Sequence, residues 1–194
     1  MAVHRDPQPY DARDVIPRIR AGDVAAFEAL YLVLFPPLYE YAYRFVRSRD
    51  SAEDVVQEVF RRVWERRAEC PPPDEVRAYL FAAVRNRIRK QWHHERVVEA
   101  SAAQFSDDRM PGMGQQGEDP EQYIVSSELR EVLDRALAEL PESRREILLM
   151  RWQLGMSYPE IAHALGISVA AAQAQVSRFQ RALRPLLRPL FRSD

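Results

Sequence analysis

Apolar residues along the chain recur mostly at steps of three and four. Val24, Phe27, Leu30, Tyr31, Leu34, Phe35 and Leu38 form one such series. Val55, Val56, Val59, Phe60, Val63 and Trp64 form a second, within residues 52–66. Val76, Leu80, Val84 and Ile88, flanked by Tyr79 and Ala83, form a third within residues 74–92. This spacing places each set on one face of an α-helix. No stretch alternates with period two, so the chain reads as all-α. Pro71, Pro72 and Pro73 separate the second helix from the third, because proline lacks the amide donor and its ring clashes with the preceding turn. A rigid loop is expected there.

Further along, Leu129, Val132, Leu133, Ala136, Leu137 and Leu140 make a fourth stripe that ends at Pro141, and Ile147, Leu148 and Arg151 lie on the next helix. Ser157 and Glu160 then stand three residues apart before an apolar run, the signature of a capping box that satisfies the first free amides of a helix. Gly166 suits the left-handed geometry that ends such a helix, and Ser168 can cap the one that follows. Small and apolar residues at Ala162, Leu165, Ile167 and Val176 fit the inward positions of a helix-turn-helix. In that motif the second helix enters the DNA major groove with its N-terminal residues at base edges. An ordinary helical hairpin with a glycine cap has the same local pattern.

Between Ala100 and Pro120 glycine, proline and serine interrupt every period, which marks a linker. The expected order is an N-terminal arm (1–18), a first helical domain (19–98), a flexible acidic linker (99–124), a helix-turn-helix domain (125–184) and a C-terminal tail (185–194). Pro185 and Pro189 are expected to end the last helix early. A length of 194 residues accommodates two such small domains.

Composition narrows the class. Hydrophobic residues make up 46% and charged residues 29%, which excludes both a wholly disordered chain and a membrane-embedded one. No long uncharged apolar run occurs, and residues 1–11 carry charge and two prolines, so a cytoplasmic protein without membrane insertion is expected. The one cysteine, Cys70, excludes an internal disulfide and any CxxC zinc site. His93 and His94 diverge on a helix and have no further ligand at a suitable spacing. Neither a nucleophile with its base nor a glycine-rich phosphate loop is recognisable. The chain is therefore expected to be no enzyme and to hold no cofactor.

A net charge of −1 conceals strong segregation. Residues 85–96 hold Arg85, Arg87, Arg89, Lys90 and Arg96 against Glu95 alone. Residues 97–128 reverse this, with seven acids against Arg109, and residues 161–193 contain five arginines and no acid. Such segregation steers a polyanion to some faces and away from others.

Two blocks carry a resemblance that covers nearly the whole chain. AFEALYLVLFPPLYEYAYRFV, SAEDVVQEVFRRVWE and VRAYLFAAVRNRIRKQWHHER resemble the successive parts of region two of the extracytoplasmic-function (ECF) sigma factors of bacterial RNA polymerase. ALAELPESRREILLMRWQLGMSYPEIAHALGIS resembles their region four. The segment Ala52-Glu53-Asp54 followed by Gln57-Glu58-Val59-Phe60 is the most specific piece. The resemblance implies an initiation factor that binds core RNA polymerase, recognises minus-ten and minus-thirty-five elements, and is held by an anti-sigma factor. It assigns Asp54, Gln57, Glu58 and Arg61 to polymerase binding, although the same residues would suit a solvated face of i,i+3 and i,i+4 pairs. It assigns Arg85, Asn86, Arg89, Lys90 and Trp92 to the minus-ten element, with core packing the alternative for Trp92. The proline loop from Arg66 to Asp74 corresponds to the place where the family holds a flipped-out base. The acidic linker corresponds to the segment that threads toward the RNA exit path, with a solvated spacer as the alternative.

For the minus-thirty-five element the resemblance points to Ser168, Ala171, Gln173, Gln175, Ser177, Arg178 and Arg181. Here the chain departs from the family. After the turn it carries Ala171, Ala172, Gln173, Ala174 and Gln175, where members usually carry cations. Glutamine can still read adenine through its N6 and N7 edge. An atypical element, an assisted domain and a domain whose DNA role has drifted all fit this departure. From the residues alone, a second class stays open: a one-component regulator whose N-terminal helices sense a ligand or dimerise while the helix-turn-helix binds a palindrome.

Overall fold

The computed structural model describes residues 11–100 and 140–187, and of residues 94–100, 142, 186 and 187 the backbone alone. It divides into two compact units, Met1–Arg109 and Met110–Asp194. Every regular element among the described residues is helical.

In the first unit, α1 (Ala12–Arg20), α2 (Val24–Val46), α3 (Arg49–Glu65), a 3-10 turn (Arg67–Glu69) and α4 (Val76–Ala100) follow in order. Short polar side chains start three of them. Asp11 accepts from the Arg13 amide at 2.9 Å, Asp23 from Ala25 and Ala26 at 2.9 and 3.2 Å, and Ser48 from Ser51 at 3.3 Å. Each cap satisfies an amide that has no helical acceptor. The core forms where α2 packs on α1, α3 and α4, and α3 on α4. Leu30, Leu38, Tyr41, Val56, Phe60, Leu80, Phe81, Val84 and Ile88 are buried there. Aromatic edges knit it together, with Tyr41 and Phe81 T-shaped at 5.5 Å and Tyr31 against Phe60 at 4.8 Å.

Several expectations need correction. The arm assigned to residues 1–18 contains α1 from Ala12 onward, and Val15, Ile16 and Ile19 bury against α2 and the 3-10 turn. Its apolar positions are too few to stand out as a stripe in the sequence. Val24, placed in the α2 stripe, is 65% exposed because it occupies the first helical position on the outward side of the Asp23 cap. α4 begins at Val76, two residues later than expected, because residues 73–75 form the turn that follows the prolines. The proline loop itself lies between helices as expected, anchored by the Arg20 guanidinium, which donates to the Cys70 carbonyl at 3.0 and 2.6 Å.

In the second unit, α5 (Glu142–Leu148) runs into a π-helical turn (Leu149–Gln153), followed by α6 (Tyr158–Leu165) and α7 (Val169–Leu187). The π turn is not anticipated by the apolar spacing, since one inserted residue shifts the face without breaking the helix. α7 runs on past Pro185 to Leu187. Proline's fixed φ is helical, so near a helix end the missing donor is a local loss rather than a stop. The linker, the stripe from Leu129 to Leu137, and Pro189 lie outside the described residues.

Candidate functional site

Burial of Val55, Val56, Val59, Phe60 and Val63 turns the opposite side of α3 outward. Asp54, Gln57, Glu58 and Arg61 share that side at i, i+3, i+4 and i+7. They form an ordered charge network. Arg61 donates to Glu58 at 2.9 Å through Nε and 2.8 Å through Nη2, and Arg62 Nε donates to the same carboxylate at 2.6 Å. Arg61 also pairs with Glu65, and Gln57 Nε2 donates to Glu53 at 2.7 Å. The hydrogen bonds from Arg61 and then Arg62 hold the Glu58 carboxyl below the usual carboxylate range. Exposed pairs of this kind add little to helix stability, because solvent and salt screen them. Their main effect is to fix the directions of the charges. Asp54 is exposed beside them.

On α4, burial of Leu80, Phe81, Val84 and Ile88 divides the five candidate residues into two strips. Asn86 and Lys90 are exposed, while Arg85, Arg89 and Trp92 are half-buried. Trp92 leans on the core through Phe45, with ring centroids 6.4 Å apart and a 60° tilt, so packing accounts for one side of its indole. Exposed Tyr79 lies in line with Asn86 and Lys90, a residue that sequence reasoning passed over as a flank of the stripe. The signal was there in its seven-residue spacing from Asn86. At the loop, the Arg67 guanidinium stands over the Trp64 ring at 5.0 Å. Burial raises the pKa of the Cys70 thiol, which disfavours the nucleophilic thiolate. Among the described residues no group of three or more His, Cys, Asp or Glu is arranged to hold a metal ion.

The helix-turn-helix forms as its local chemistry dictates. Ser157 and Glu160 complete the capping box, the Ser157 amide donating to Glu160 at 2.7 Å and the Glu160 amide to the Ser157 hydroxyl oxygen at 3.3 Å. Gly166 has φ 68°, and nothing lies within 4 Å of the place a Cβ would take, so backbone conformation rather than space demands glycine. The Ile167 amide then bonds back to the Ala162 carbonyl at 3.0 Å. Ser168 accepts from the Ala171 amide at 3.1 Å and starts α7. Arg151 braces the approach to α6, stacking on Tyr158 at 4.8 Å and donating to the Met156 carbonyl at 3.0 Å.

Ala172, Val176 and Phe179 are buried and seat α7. Seating it this way parts the expected recognition residues. Gln173, Ser177 and Arg181 are exposed on the outward side, in line with Gln180 and Arg184. Ala171 is half-buried, and the exposed Ser168 spends its hydroxyl on the cap. Gln175, half-buried, and Arg178, which stays exposed, border a cavity of about 260 Å³ with Leu140, Arg144, Leu148, Phe179 and Ala182. The Gln175 Oε1 is buried there without a hydrogen-bond partner among the described residues. Gln180 is the outward residue that sequence reasoning missed, and its seven-residue step from Gln173 was the available signal.

Comparison with known proteins assigns both units. The Sigma-70 region 2 model matches residues 30–97, and the Sigma-70 region 4 model matches residues 130–183. The first match falls on the unit that a one-component regulator would use for sensing or dimerisation. The ECF RNA polymerase sigma factor SigL of Mycobacterium tuberculosis is 32% identical over 182 residues, covering 88% of this chain and 93% of that protein. The probable RNA polymerase sigma factor RfaY of Xanthomonas campestris is 25% identical over 189 residues, and there the chain spans 45% of the relative's length. Among solved structures, CnrH in complex with the cytosolic domain of CnrY aligns with a TM-score of 0.61 at 23% identity, covering 93% of this chain and 99% of that one. At that identity the likeness speaks for the fold. With regions 2 and 4 matched in order and an ECF factor 32% identical along most of its length, the chain belongs to the ECF family of RNA polymerase sigma factors.

Proposed function

We propose that the chain divides promoter recognition between its two units while docked on core RNA polymerase. The α3 face of Asp54, Gln57, Glu58 and Arg61 makes the polymerase contact. The α4 face of Arg85, Asn86, Arg89 and Lys90, with the free side of Trp92, meets the minus-ten element. Cations there hold the backbone, and an aromatic face stacks on a base, a contact worth about 1–3 kcal/mol. The outward side of α7, with Gln173, Ser177 and Arg181, meets the minus-thirty-five element. Ser168 and Ala171 act there through the backbone they position rather than through their side chains.

The observation that carries this reading is the placement of Gln173 and Ser177. Ala172, Val176 and Phe179 hold α7 on its hairpin while those two side chains stay outward, as a helix entering a major groove requires. The chain is then an initiation factor that performs no catalysis of its own. None of the described helices is long and apolar enough to cross a membrane, which suits work on a cytoplasmic polymerase. The aligned CnrH structure is a complex with the cytosolic domain of CnrY, and a regulator of that kind is the expected partner that holds this chain inactive.

Asp54→Arg combined with Arg61→Glu tests the polymerase assignment, because both residues are exposed and the fold should survive. Loss of co-elution with core RNA polymerase, with an unchanged circular dichroism spectrum, is expected. Undiminished co-elution would contradict the α3 assignment.

A further inference from the structure

The loop that leads from α3 into α4 has few ways to hold itself. Pro71, Pro72 and Pro73 have no amide hydrogen, so the backbone there can be tied only through its carbonyls. Two carbonyls do so. That of Pro72 accepts from the amides of Glu75 and Val76 at 2.9 and 3.1 Å, and thereby takes up the start of α4. That of Cys70 accepts from Arg20 of α1, through Nε at 3.0 Å and Nη2 at 2.6 Å. Cys70 is extended, at φ −53° and ψ 134°, as a residue before proline prefers, and its side chain is buried.

Arg20 differs from the other arginines of α1. Arg13 pairs with Asp74, and Arg18 with Asp14 and Asp23, whereas Arg20 has no carboxylate partner among the described residues. Its guanidinium is committed to one main-chain oxygen, and a charge-assisted bond of this kind is roughly twice as strong as a neutral one. Ile16 and Ile19, both fully buried, fix the helix from which it reaches. The prolines fix φ near −65°, so a stiff segment joins the two tied carbonyls. A shift at Cys70 is then passed to the start of α4 instead of being absorbed in the loop. One turn into α4 stands the exposed Tyr79, its amide bonded to the Glu75 carbonyl at 2.9 Å.

We propose that Arg20 is a positioning residue for minus-ten recognition, holding the Cys70 carbonyl and, through the three prolines, setting where the first turn of α4 stands against the DNA. It acts through the backbone alone and touches neither base nor phosphate. The proposal rests on the assignment of α4 to the minus-ten element made above.

Arg20→Ala and Arg20→Lys test it in the full chain, beside Val15→Ala, which truncates the buried side of α1 without touching the clamp. Amide hydrogen exchange followed by NMR reads the clamp itself. In Arg20→Ala the Val76 amide should exchange about tenfold faster relative to the Phe60 amide of the core, whereas Val15→Ala should leave that ratio unchanged. Selection from randomised promoters with core RNA polymerase reads the function. Arg20→Ala should lower discrimination within the minus-ten element by about tenfold and leave minus-thirty-five preference and the salt slope unchanged. Arg20→Lys keeps one donor and should restore part of the loss, and Val15→Ala should show none. An unchanged exchange ratio in Arg20→Ala, a changed ratio with full minus-ten preference, or an equal loss of preference in Val15→Ala would each overturn the proposal. The reading beneath it fails separately, through an Arg89 and Lys90 double alanine variant that keeps full promoter affinity, and the proposal falls with it.

Discussion

The helices α4 and α7 are both read as DNA-contacting, yet they are equipped for it differently. α4 brings Arg85, Arg89 and Lys90 within two turns, and leans Trp92 on Phe45 so that the indole is held in place. α7 reaches its second turn without a cation, presenting Gln173 and Ser177, with Arg178, Arg181 and Arg184 following only further along. Phosphate contacts by cations release counterions and make affinity fall steeply with salt, whereas amide contacts to base edges add discrimination with little salt dependence. The two helices should therefore differ in how they respond to ionic strength as well as in which bases they meet.

The largest expected effect is on α4. Replacing Arg89 and Lys90 together with alanine should lower promoter affinity of the polymerase complex by roughly a hundredfold at moderate salt, and reduce the log–log salt slope by about 1.5 to 2. Filter binding across a salt series reads both. A smaller change is expected for Gln173→Ala, which should cost about 1–3 kcal/mol at a single base position and leave the salt slope unmoved. Selection from randomised promoters would show the relaxed position, and a shifted slope would erase the contrast between the helices.

Within α7 the contrast sharpens further. Gln175 lies on the cavity side with its Oε1 buried and without a hydrogen-bond partner among the described residues, so Gln175→Leu should raise the unfolding free energy by about 1 kcal/mol and leave promoter choice unchanged. Altered choice would place Gln175 on the DNA side after all.

The smallest effect belongs to α3. Hydrogen bonds from Arg61 and Arg62 lower the folded pKa of the Glu58 carboxyl, so the folded state binds fewer protons than the unfolded one in the acidic range. Its contribution to stability is then present above the unfolded carboxylate value of about 4.3 and is lost as pH falls through the lowered folded value. A carboxyl NMR titration should find Glu58 below ordinary surface glutamates, and Arg61→Gln should move it back up. An ordinary value in the unsubstituted chain would contradict the network.

What could be read in advance follows from which physical signals act locally. The stripes of α2, α3 and α4, the Ser157 capping box and the Gly166 turn are written in spacing and in single residues whose chemistry has few alternatives. The orientation of Gln175 was not legible, because residues two apart on a helix differ by about 200° and a run of letters does not say which is seated inward. That depends on Ala172, Val176 and Phe179 finding the hairpin. The passage of α2 through Pro36 and Pro37 was legible only in the apolar series that runs across them from Val24 to Leu38. Local rules forbid it, and packing of Leu30, Leu38 and Tyr41 on both sides overrides them. α1 was hidden by its length, and the π turn by the weakness of any sequence mark for one inserted residue.

The most direct test is to reconstitute the purified chain with bacterial core RNA polymerase and map the transcripts it directs from genomic fragments. Stable co-elution and defined start sites, each preceded by two shared elements at a fixed spacing, are the predicted result. A chain that fails to bind core polymerase, and instead binds palindromic DNA unaided as a dimer, would contradict the assignment of both units.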